Sequence, residues 1–210
     1  RLSGTELVVH LGMTGVLSLQ HATTVDPSAH VRAWWALDDG RSLVFNDVRR
    51  FGRVAVVPRG DHSSLATLAA LGPEPFDPGF TPTVLRRGIN ATTRAIKTAL
   101  LSQRIVAGLG NIYADEALWR AGIDPRRRGG LGARRAEALH GAIVDVLGDA
   151  IGRGGTTLRD YRTLDGATGN YQQRLEVYGR NGRPCVRCGT ALRSITLDAR
   201  TTTWCVRCQR

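Results

Sequence analysis

The sequence contains no apolar run near the roughly 20 residues that a membrane-spanning helix requires, and no basic-then-apolar leader. We therefore expect a soluble intracellular protein. Lysine is nearly absent as well: Lys97 is the only one, and all the other basic residues are arginine. A lone ammonium group among guanidinium groups makes Lys97 a functional candidate, with chance survival as the alternative.

Acidic side chains are scarce relative to basic ones. The chain has 29 arginine and lysine residues against 18 aspartate and glutamate residues, which gives a formal net charge of +11. A surplus of this size indicates a polyanionic partner, and nucleic acid is the first candidate. A basic composition that serves solubility alone is the alternative, and composition does not separate the two.

The sequence also lacks a methionine at its start. It begins at Arg1 and enters the apolar segment TELVVH almost at once, with no sheet partner upstream. We therefore expect a chain that was cut within a domain, leaving a strand edge exposed.

Local patterns divide the chain into β, linker and helical parts. Short alternating runs predict β structure up to about residue 60, with a hairpin turn at Asp38-Asp39-Gly40. HSSLATLAALG has helical spacing, and the segment GPEPFDPGFTP predicts an interdomain linker. Helical periodicity follows over residues 83–152, and then a polar, glycine-rich stretch predicts a long loop.

All four cysteines lie near the end of the chain, in two CVRC segments separated by sixteen residues. Two such knuckles predict a tetrahedral four-sulfur zinc site in a zinc ribbon, which would need the metal to fold. Two disulfides or a redox pair are the alternatives. The predicted ligands are Cys185, Cys188, Cys205 and Cys208. The ribbon's own arginines suggest a basic face against a phosphate backbone, with solvated charge as the alternative; they are Arg187, Arg193, Arg200 and Arg207.

The motif GLGNIY predicts a tight turn before a helix that begins near Tyr113. The free N–H groups of such a helix start form a natural phosphate site, and Asn111 lies at its mouth. An ordinary helix cap is the alternative for Asn111. Asp115 and Glu116 are expected to complement the helix dipole in the first turn, without a catalytic role.

Several motifs together resemble the formamidopyrimidine-DNA glycosylase family over essentially the whole chain. In order, they are HLGMTG, DVRRFG, LGPEP, AIKTALLSQRIVAGLGNIYADEALWRAGIDP, GGTTLRDY, VYGRNGRPC and the two CVRC pairs. The resemblance implies an α+β multidomain fold. It comprises a partial β-sandwich at 1–72, a linker at 73–82, a helix-two-turn-helix domain with a lesion-capping loop at 83–176, and a zinc ribbon at 177–210.

For the segment FNDVRRFGR, the resemblance implies insertion into DNA. Proteins of this family extrude the target base and fill the gap with side chains that match Met13, Arg49 and Phe51 here. An apolar wedge that unstacks a base step explains why an aromatic ring would stand on a cationic loop. Without the resemblance, a Phe51 ring folded into the core would be favoured.

The resemblance also implies contacts to the phosphates around the extruded nucleotide. These carry over to His10, Asn111 and Arg200, and Arg200 would further assist δ-elimination. His30 matches a position near DNA, although a plain surface or core histidine is the alternative. Lys97 matches a position near the lesion pocket, but Thr92 and Thr93 stand where the family often has basic residues.

The implied activity is that of a bifunctional DNA glycosylase and abasic-site lyase of base excision repair. The segment Thr163–Tyr171 resembles the lesion-capping loop of the oxidised-purine branch, which favours 8-oxoguanine and formamidopyrimidines over the oxidised pyrimidines of the endonuclease VIII branch. The implied cofactor is one structural Zn²⁺, and the implied partner is duplex DNA with oxidised bases or abasic sites. A monomer in the bacterial cytoplasm, near the nucleoid, is expected.

Family catalysis uses an N-terminal proline as the nucleophile and the adjacent glutamate as the general acid. The sequence does not show this pair at its start, where Arg1 and Leu2 stand. We therefore expect the 210-residue chain to be inactive by itself. A non-catalytic zinc-ribbon module that binds damaged DNA is the alternative reading from a different functional class.

Overall fold

The protein is described from a computed structural model, for residues 3–21, 30–158 and 161–210. It divides into two compact units. The first unit comprises Arg1–Ala69 and Arg153–Gln172, and the second comprises Ala70–Gly152 and Gln173–Arg210. The chain therefore passes from the first unit to the second, returns to the first, and ends in the second.

The first unit contains two antiparallel sheets built from five strands. The strands are β1 (Thr5–His10), β2 (Gly15–His21), β3 (Val31–Ala36), β4 (Arg41–Asp47) and β5 (Arg53–Pro58). One sheet pairs β1 with β5, and the other has the order β2-β4-β3. The central strand β4 is the most buried of the five, because it has neighbours on both sides and carries Val44 and Phe45 into the core.

The hairpin between β3 and β4 turns where the sequence predicts it. Gly40 has a φ of +78°, a left-handed conformation that glycine adopts without a steric penalty. The N–H of Leu37 donates to the carbonyl of Arg41 across the turn, at 2.9 Å. The turn aligns the strands so that Trp35 of β3 lies opposite Leu43 of β4.

The polar loop after the last long helix belongs to the first unit. The N–H of Leu19 on β2 donates to the carbonyl of Leu164 at 3.0 Å, so the loop is attached to the edge of the three-stranded sheet. The loop closes on itself where Gly169 passes Gly155, since a Cβ atom on Gly169 would collide with the Gly155 carbonyl. Only glycine fits this backbone approach.

The second unit is helical and ends in a hairpin. Its helices are α2 (Pro82–Asn90), α3 (Ile96–Leu101), α4 (Asn111–Arg120) and α5 (Ala133–Gly152), after the short α1 (Ala66–Ala69) of the first unit. A short 3-10 helix spans Tyr171–Arg174, where the chain passes from the first unit to the second. The hairpin consists of β6 (Arg193–Leu197) and β7 (Arg200–Trp204).

Helix α2 begins with a standard cap, since the Thr81 hydroxyl accepts a hydrogen bond from the N–H of Val84 and Pro82 occupies the first helical turn. Helix α5 packs against α2 and α4. Its apolar residues recur at helical spacing and face this core; they are Ala136, Leu139, Ala142, Ile143, Val146, Leu147 and Ala150.

Strands β6 and β7 are joined by a two-residue turn. Asp198 and Ala199 both have positive φ angles, of 45° and 58°. This conformation matches a type I′ turn, whose twist suits a tight hairpin. Consequently, Arg200 is the first residue of β7 and lies at the tip of the hairpin, paired with Leu197.

The structure differs from the sequence-based organisation in three respects. The segment HSSLATLAALG forms only the four-residue α1. The segment 73–82 is packed against helices rather than free, because the Phe80 ring is buried and lies 4.7 Å from the ring of His140. The loop at 153–172 groups with the strands instead of the helices at 83–176, and the zinc ribbon at 177–210 shares a compact unit with those helices.

The described helices include none whose length and apolar character would let it cross a bilayer.

Candidate nucleic-acid interface

Met13, Arg49 and Phe51 form one exposed cluster on the first unit. The Met13 side chain is 70 % exposed and the Phe51 side chain 54 %. The Arg49 guanidinium lies 4.9 Å from the centre of the Phe51 ring, and its Nη2 lies 3.5 Å from the Met13 sulfur. The structure therefore brings the three residues together at the surface. The alternative in which the Phe51 ring folds into the core is wrong.

The two loops that carry this cluster touch through their backbones. Gly12 has a φ of +64°, and a Cβ atom on it would lie 2.7 Å from the carbonyl carbon of Phe51. A side chain at position 12 would therefore push the loops apart. Arg50 has a φ of 59°, which is unusual for a residue with a side chain and allows the arginine loop to turn sharply between Arg49 and Phe51.

His10 lies at the end of β1, beside these loops. Its Nδ1 accepts a hydrogen bond from the N–H of Gly12 at 3.2 Å, which leaves Nε2 as the proton-bearing nitrogen of the exposed ring. That nitrogen is a donor suited to a phosphate oxygen. His30 is exposed too, but its only hydrogen bond described here is through the main chain, from the N–H of Asp47 to the His30 carbonyl.

Helix α4 begins at Asn111, two residues earlier than the predicted start near Tyr113. Gly110 precedes it in extended conformation and supplies no side-chain cap. Asn111 is not an ordinary cap, since its Nδ2 donates to the carbonyl of Thr201 on β7 at 3.3 Å. The asparagine thus attaches the start of α4 to the hairpin beside Arg200, an exposed residue.

Lys97 is fully buried, which corrects the prediction that it contacts DNA. Its Nζ lies 2.7 Å from Oδ1 of Asp115 and donates to the carbonyl of Thr201 at 2.8 Å. Burial lowers the pKa of Lys97, and the Asp115 carboxylate opposes that shift. Burial likewise raises the pKa of Asp115 to about 6, opposed by Lys97. The lysine therefore connects α3, α4 and β7 from inside the unit.

Asp115 and Glu116 do not serve as first-turn charges at the start of α4, which corrects the dipole interpretation. Asp115 also accepts the N–H of Thr203 at 3.0 Å. Glu116 accepts the N–H groups of Glu176, Val177 and Tyr178 at 2.9–3.1 Å. Burial raises the pKa of Glu116, and these hydrogen bonds oppose the shift. Through these hydrogen bonds, Asp115 holds the β6–β7 hairpin against α4. Glu116 holds the segment 176–178, which precedes the hairpin, against the same helix.

The arginines of the ribbon do not share one role. The Arg187 guanidinium stacks 3.8 Å from the Trp119 ring centre and donates to the carbonyls of Trp119 and Arg120. It therefore caps the end of α4, and the prediction that it faces a phosphate backbone is wrong. Arg200, in contrast, projects from the hairpin tip.

The four cysteines meet at one centre. Their sulfur atoms all lie within 4.8 Å of one another, with 4.0 Å between Cys185 and Cys208 and 3.5 Å between Cys188 and Cys205. A tetrahedral zinc with bonds of about 2.3 Å requires sulfur separations of about 3.8 Å, so the donor set fits. All four thiols are free, which excludes the disulfide alternative.

The pKa shifts differ within this cluster. Burial raises the pKa of Cys208 to about 12, whereas hydrogen bonds from Thr190 lower the pKa of Cys188 to about 6. Four thiolates at this spacing would repel one another strongly without a positive charge between them, and zinc supplies that charge. The cysteines therefore hold one structural zinc ion, on a base of Trp119, Val177 and Leu192.

Comparisons with known proteins decide the family. Residues 1–54 match the family model of the formamidopyrimidine-DNA glycosylase N-terminal domain, and residues 71–162 match that of its H2TH domain. Residues 182–210 match the zinc finger found in FPG and IleRS. Formamidopyrimidine-DNA glycosylase from Syntrophotalea carbinolica is 47 % identical over 205 residues, which is 97 % of this chain and 75 % of that protein.

The chain belongs to the formamidopyrimidine-DNA glycosylase family. The protein of that name from Chloroflexus aggregans is 46 % identical, over 99 % of this chain and 74 % of its own length. Among solved structures, MutM (Fpg) from Thermus thermophilus aligns with a TM-score of 0.88 and 44 % identity, over 99 % of this chain and 77 % of the other. The resemblance, the α+β multidomain fold and the zinc ribbon predicted from the sequence are confirmed.

The structure also identifies residues of this glycosylase-family chain that sequence reasoning missed. Asp47 and Thr14 stand next to the cluster residues and hydrogen-bond to each other at 2.6 Å. An aspartate that directly precedes a turn was the available signal, because its side chain often accepts the turn's N–H groups. No comparable signal marks the buried roles of Asp115 and Glu116.

Proposed function

We propose that the protein acts in base excision repair as a DNA glycosylase and abasic-site lyase that removes oxidised purines from duplex DNA, and that these 210 residues supply its binding surface for damaged DNA. The observation that carries the proposal is the exposed cluster of Met13, Arg49 and Phe51. The Phe51 ring and the Met13 thioether are more than half exposed and so contribute little to the core of the first unit. They suit a gap in a base stack, where apolar surface is covered and the guanidinium meets the unpaired base.

Solved relatives support the choice of ligand. The Lactococcus lactis Fpg was solved with DNA that contains an abasic site, and a mutant of it with Fapy-dG-containing DNA; they align with TM-scores of 0.86 and 0.87 at 33 % and 34 % identity. A MutM complex contains DNA with carbocyclic 8-oxoG. We assign the same ligand class, damaged duplex DNA, to this chain.

The proposed DNA contacts are of two kinds, contacts in the base gap and contacts to phosphates. Arg49 faces the orphaned base, while Met13 and Phe51 replace the stacking that is lost when the nucleotide turns outward. His10, with a proton on Nε2, and Asn111 and Arg200, at the joint of α4 and the hairpin, bind phosphates. His30 is a weaker phosphate candidate.

The zinc ion has a structural part in this scheme. The four cysteine sulfurs would hold the ion together, which would leave no position on the metal for water or substrate. The zinc ion would hold the chain segments before β6 and after β7 together, and would thereby keep Arg200 at the hairpin tip. Lys97 holds the same strand from inside the unit, because its ammonium donates to the carbonyl of Thr201, which is next to Arg200.

Oxidised purines are proposed over oxidised pyrimidines because of the loop at 163–171. The loop is closed by the hydrogen bond from the Thr163 N–H to the Ala167 carbonyl at 3.0 Å, and its Gly169 packs tightly against the backbone of Gly155. This compact hairpin-like loop is suited to cover a flipped base. The endonuclease VIII-like specificity is the second candidate. We place the activity in the bacterial cytoplasm, at the nucleoid.

Binding and chemistry are tested separately. The 210-residue chain should bind a duplex with a tetrahydrofuran abasic-site analogue or 8-oxoguanine more tightly than the undamaged duplex, at matched salt. Equal affinities would overturn the damaged-DNA assignment. The protein as its gene encodes it should form a borohydride-trapped covalent adduct on the 8-oxoguanine duplex. Lesion-specific binding without any adduct would favour the non-catalytic damaged-DNA-binding alternative, and adducts only on oxidised pyrimidines would favour the second candidate.

A further inference from the structure

A single buried carboxylate joins the two loops that carry the exposed cluster. Asp47, the last residue of β4, is 1 % exposed. Its Oδ1 accepts the hydroxyl of Thr14 at 2.6 Å and the N–H of Arg49 at 3.3 Å. Its Oδ2 accepts the N–H of Gly52 at 2.7 Å. One side chain thus accepts donors from both loops.

The three donors are closely related to the inserting residues. Thr14 directly follows Met13, Gly52 directly follows Phe51, and Arg49 is itself an inserting residue. We propose that Asp47 is a positioning residue, which sets the spacing and direction of Met13, Arg49 and Phe51 before DNA is bound. This inference rests on the function proposed above and assigns to it a residue that does not touch the DNA.

The position of Asp47 is fixed by the sheet and not by the loops. Its main-chain N–H donates to the His30 carbonyl at 2.9 Å, and its carbonyl accepts the Nε–H of Arg32 at 2.8 Å. The backbone of Asp47 is therefore held at the end of the three-stranded sheet. Because its backbone is held in this way, the hydrogen bonds to its carboxylate fix the two loops, whose tips are otherwise exposed.

The Asp47 carboxylate is closely surrounded by the backbone of the arginine loop. A Cβ atom on Gly52 would lie 3.0 Å from Oδ2 of Asp47 and would collide with the Phe45 ring, so the loop backbone passes directly over the carboxylate. The hydrogen bond from Thr14, followed by that from Gly52, lowers the pKa of Asp47. The group is therefore ionised, and both of its oxygens act only as acceptors.

The arrangement explains how the loops keep a costly conformation. Arg50 lies in the left-handed region, between the N–H groups of Arg49 and Gly52 that point at Asp47. Charged acceptors form stronger hydrogen bonds than neutral ones and offset such strain. Loops that are already ordered lose less conformational entropy when they enter a base gap, so the lesion complex should depend on Asp47 more than non-specific binding does.

The first test is Asp47→Asn, which keeps the shape but replaces one accepting oxygen with an N–H₂ group. In either orientation, the amide places a donor against a backbone N–H of the arginine loop. Asp61→Asn is the matched control, because Asp61 also accepts a hydroxyl and a backbone N–H, both from Ser63, and lies outside these loops. Circular dichroism and thermal melting show whether each variant is folded.

Two readouts separate positioning from general stability. The first is the ratio of affinities for a tetrahydrofuran-containing duplex and the undamaged duplex. The second is the fluorescence of 2-aminopurine placed opposite the lesion, which rises when that base is unstacked. Asp47→Asn should lower the affinity ratio by roughly tenfold, the size expected for lost hydrogen bonds to a charged group, and should abolish the fluorescence rise. Asp61→Asn should change neither.

A second pair of variants decides the case if Asp47→Asn does not fold. Thr14→Val removes the hydroxyl, which donates to Asp47 and also accepts the N–H of Arg49 at 3.2 Å, and should lower the affinity ratio. Thr14→Ser keeps the hydroxyl and should restore the ratio. If the wild-type chain discriminates the lesion and Thr14→Val does so equally well, the inference is overturned while the proposed function stands. If the wild-type chain shows no discrimination, the proposed function itself fails.

Discussion

Lys97 and Asp115 form an ion pair of 2.7 Å in which neither side chain is exposed to solvent. The pair joins α3 to α4, and the lysine also holds the Thr201 carbonyl of β7. Isolated charges are costly to bury, and each partner offsets the desolvation of the other. The single lysine of an arginine-rich chain is therefore explained by packing, since a compact ammonium fits a closed space that a planar guanidinium does not.

Removing one partner should destabilise the second unit. Lys97→Met leaves the Asp115 carboxylate buried without its cation, so we expect the free energy of unfolding to fall by about 3–5 kcal/mol. Urea denaturation followed by tryptophan fluorescence measures the change. The double variant Lys97→Met/Asp115→Leu should be more stable than Lys97→Met alone. Arg94→Met, at an exposed position, is the control and should have little effect. A wild-type-like Lys97→Met would contradict this account.

Asp115 should also leave a signature in the pH dependence of stability. Its pKa is raised by burial from 3.8 to about 6 in the folded state. The folded state then binds the proton more tightly than the unfolded chain, so this contribution is fully present below about pH 4 and is lost as the pH rises through about 6.

The matched comparison is with Asp115→Asn, which does not titrate. The unfolding free energy of the wild type, relative to this variant, should fall by up to about 3 kcal/mol across that window as the pH rises. Urea denaturation at intervals across the window measures the difference. A difference that stays constant with pH would show that Asp115 titrates normally.

Removal of zinc should unfold the hairpin and weaken DNA binding. The base beneath the metal is small, with Trp119, Val177 and Leu192 as its apolar side chains, so the metal supplies much of the folding free energy. Cys188→Ser or a strong chelator should lower the zinc content and reduce affinity for damaged and undamaged duplexes alike. Elemental analysis and binding titrations check this. Zinc added back after chelation should restore binding, and magnesium should not; full binding by the metal-free protein would refute the structural role.

Phe51→Ala should reduce lesion discrimination more than non-specific affinity. The ring replaces a lost stacking partner, and base–aromatic stacking contributes about 1–3 kcal/mol, so roughly tenfold weaker binding to the abasic-site duplex is expected. Trp34→Ala is a matched control, because Trp34 is 58 % exposed on β3 of the same unit. Titrations on damaged and undamaged duplexes measure both affinities. Equal losses on the two duplexes would exclude the wedge role of Phe51.

The sequence predicted those features that follow from local rules. The β3–β4 turn depends on Gly40, the helices on apolar periodicity, and the zinc site on cysteine spacing. The sequence did not predict the buried partners of Lys97 or Glu116, because a charged residue within a helical pattern is normally expected to be exposed to solvent. Those partners come from segments far along the chain, 104 residues away for the Lys97–Thr201 contact, and only the folded structure brings them together.

Arg187 and Arg200 should respond differently to substitution, although both belong to the zinc ribbon. Arg200→Ala should weaken binding to all duplexes and reduce the slope of log affinity against log salt by about 0.9, the value for one phosphate contact. Arg187→Ala should leave the slope unchanged, because its guanidinium is engaged with Trp119 and the end of α4. Its effect should instead be a lower free energy of unfolding, by about 1–3 kcal/mol. Salt titrations of binding and urea denaturation of both variants measure the two effects. An unchanged slope in Arg200→Ala, or a reduced one in Arg187→Ala, would contradict the division of roles between hairpin tip and helix cap.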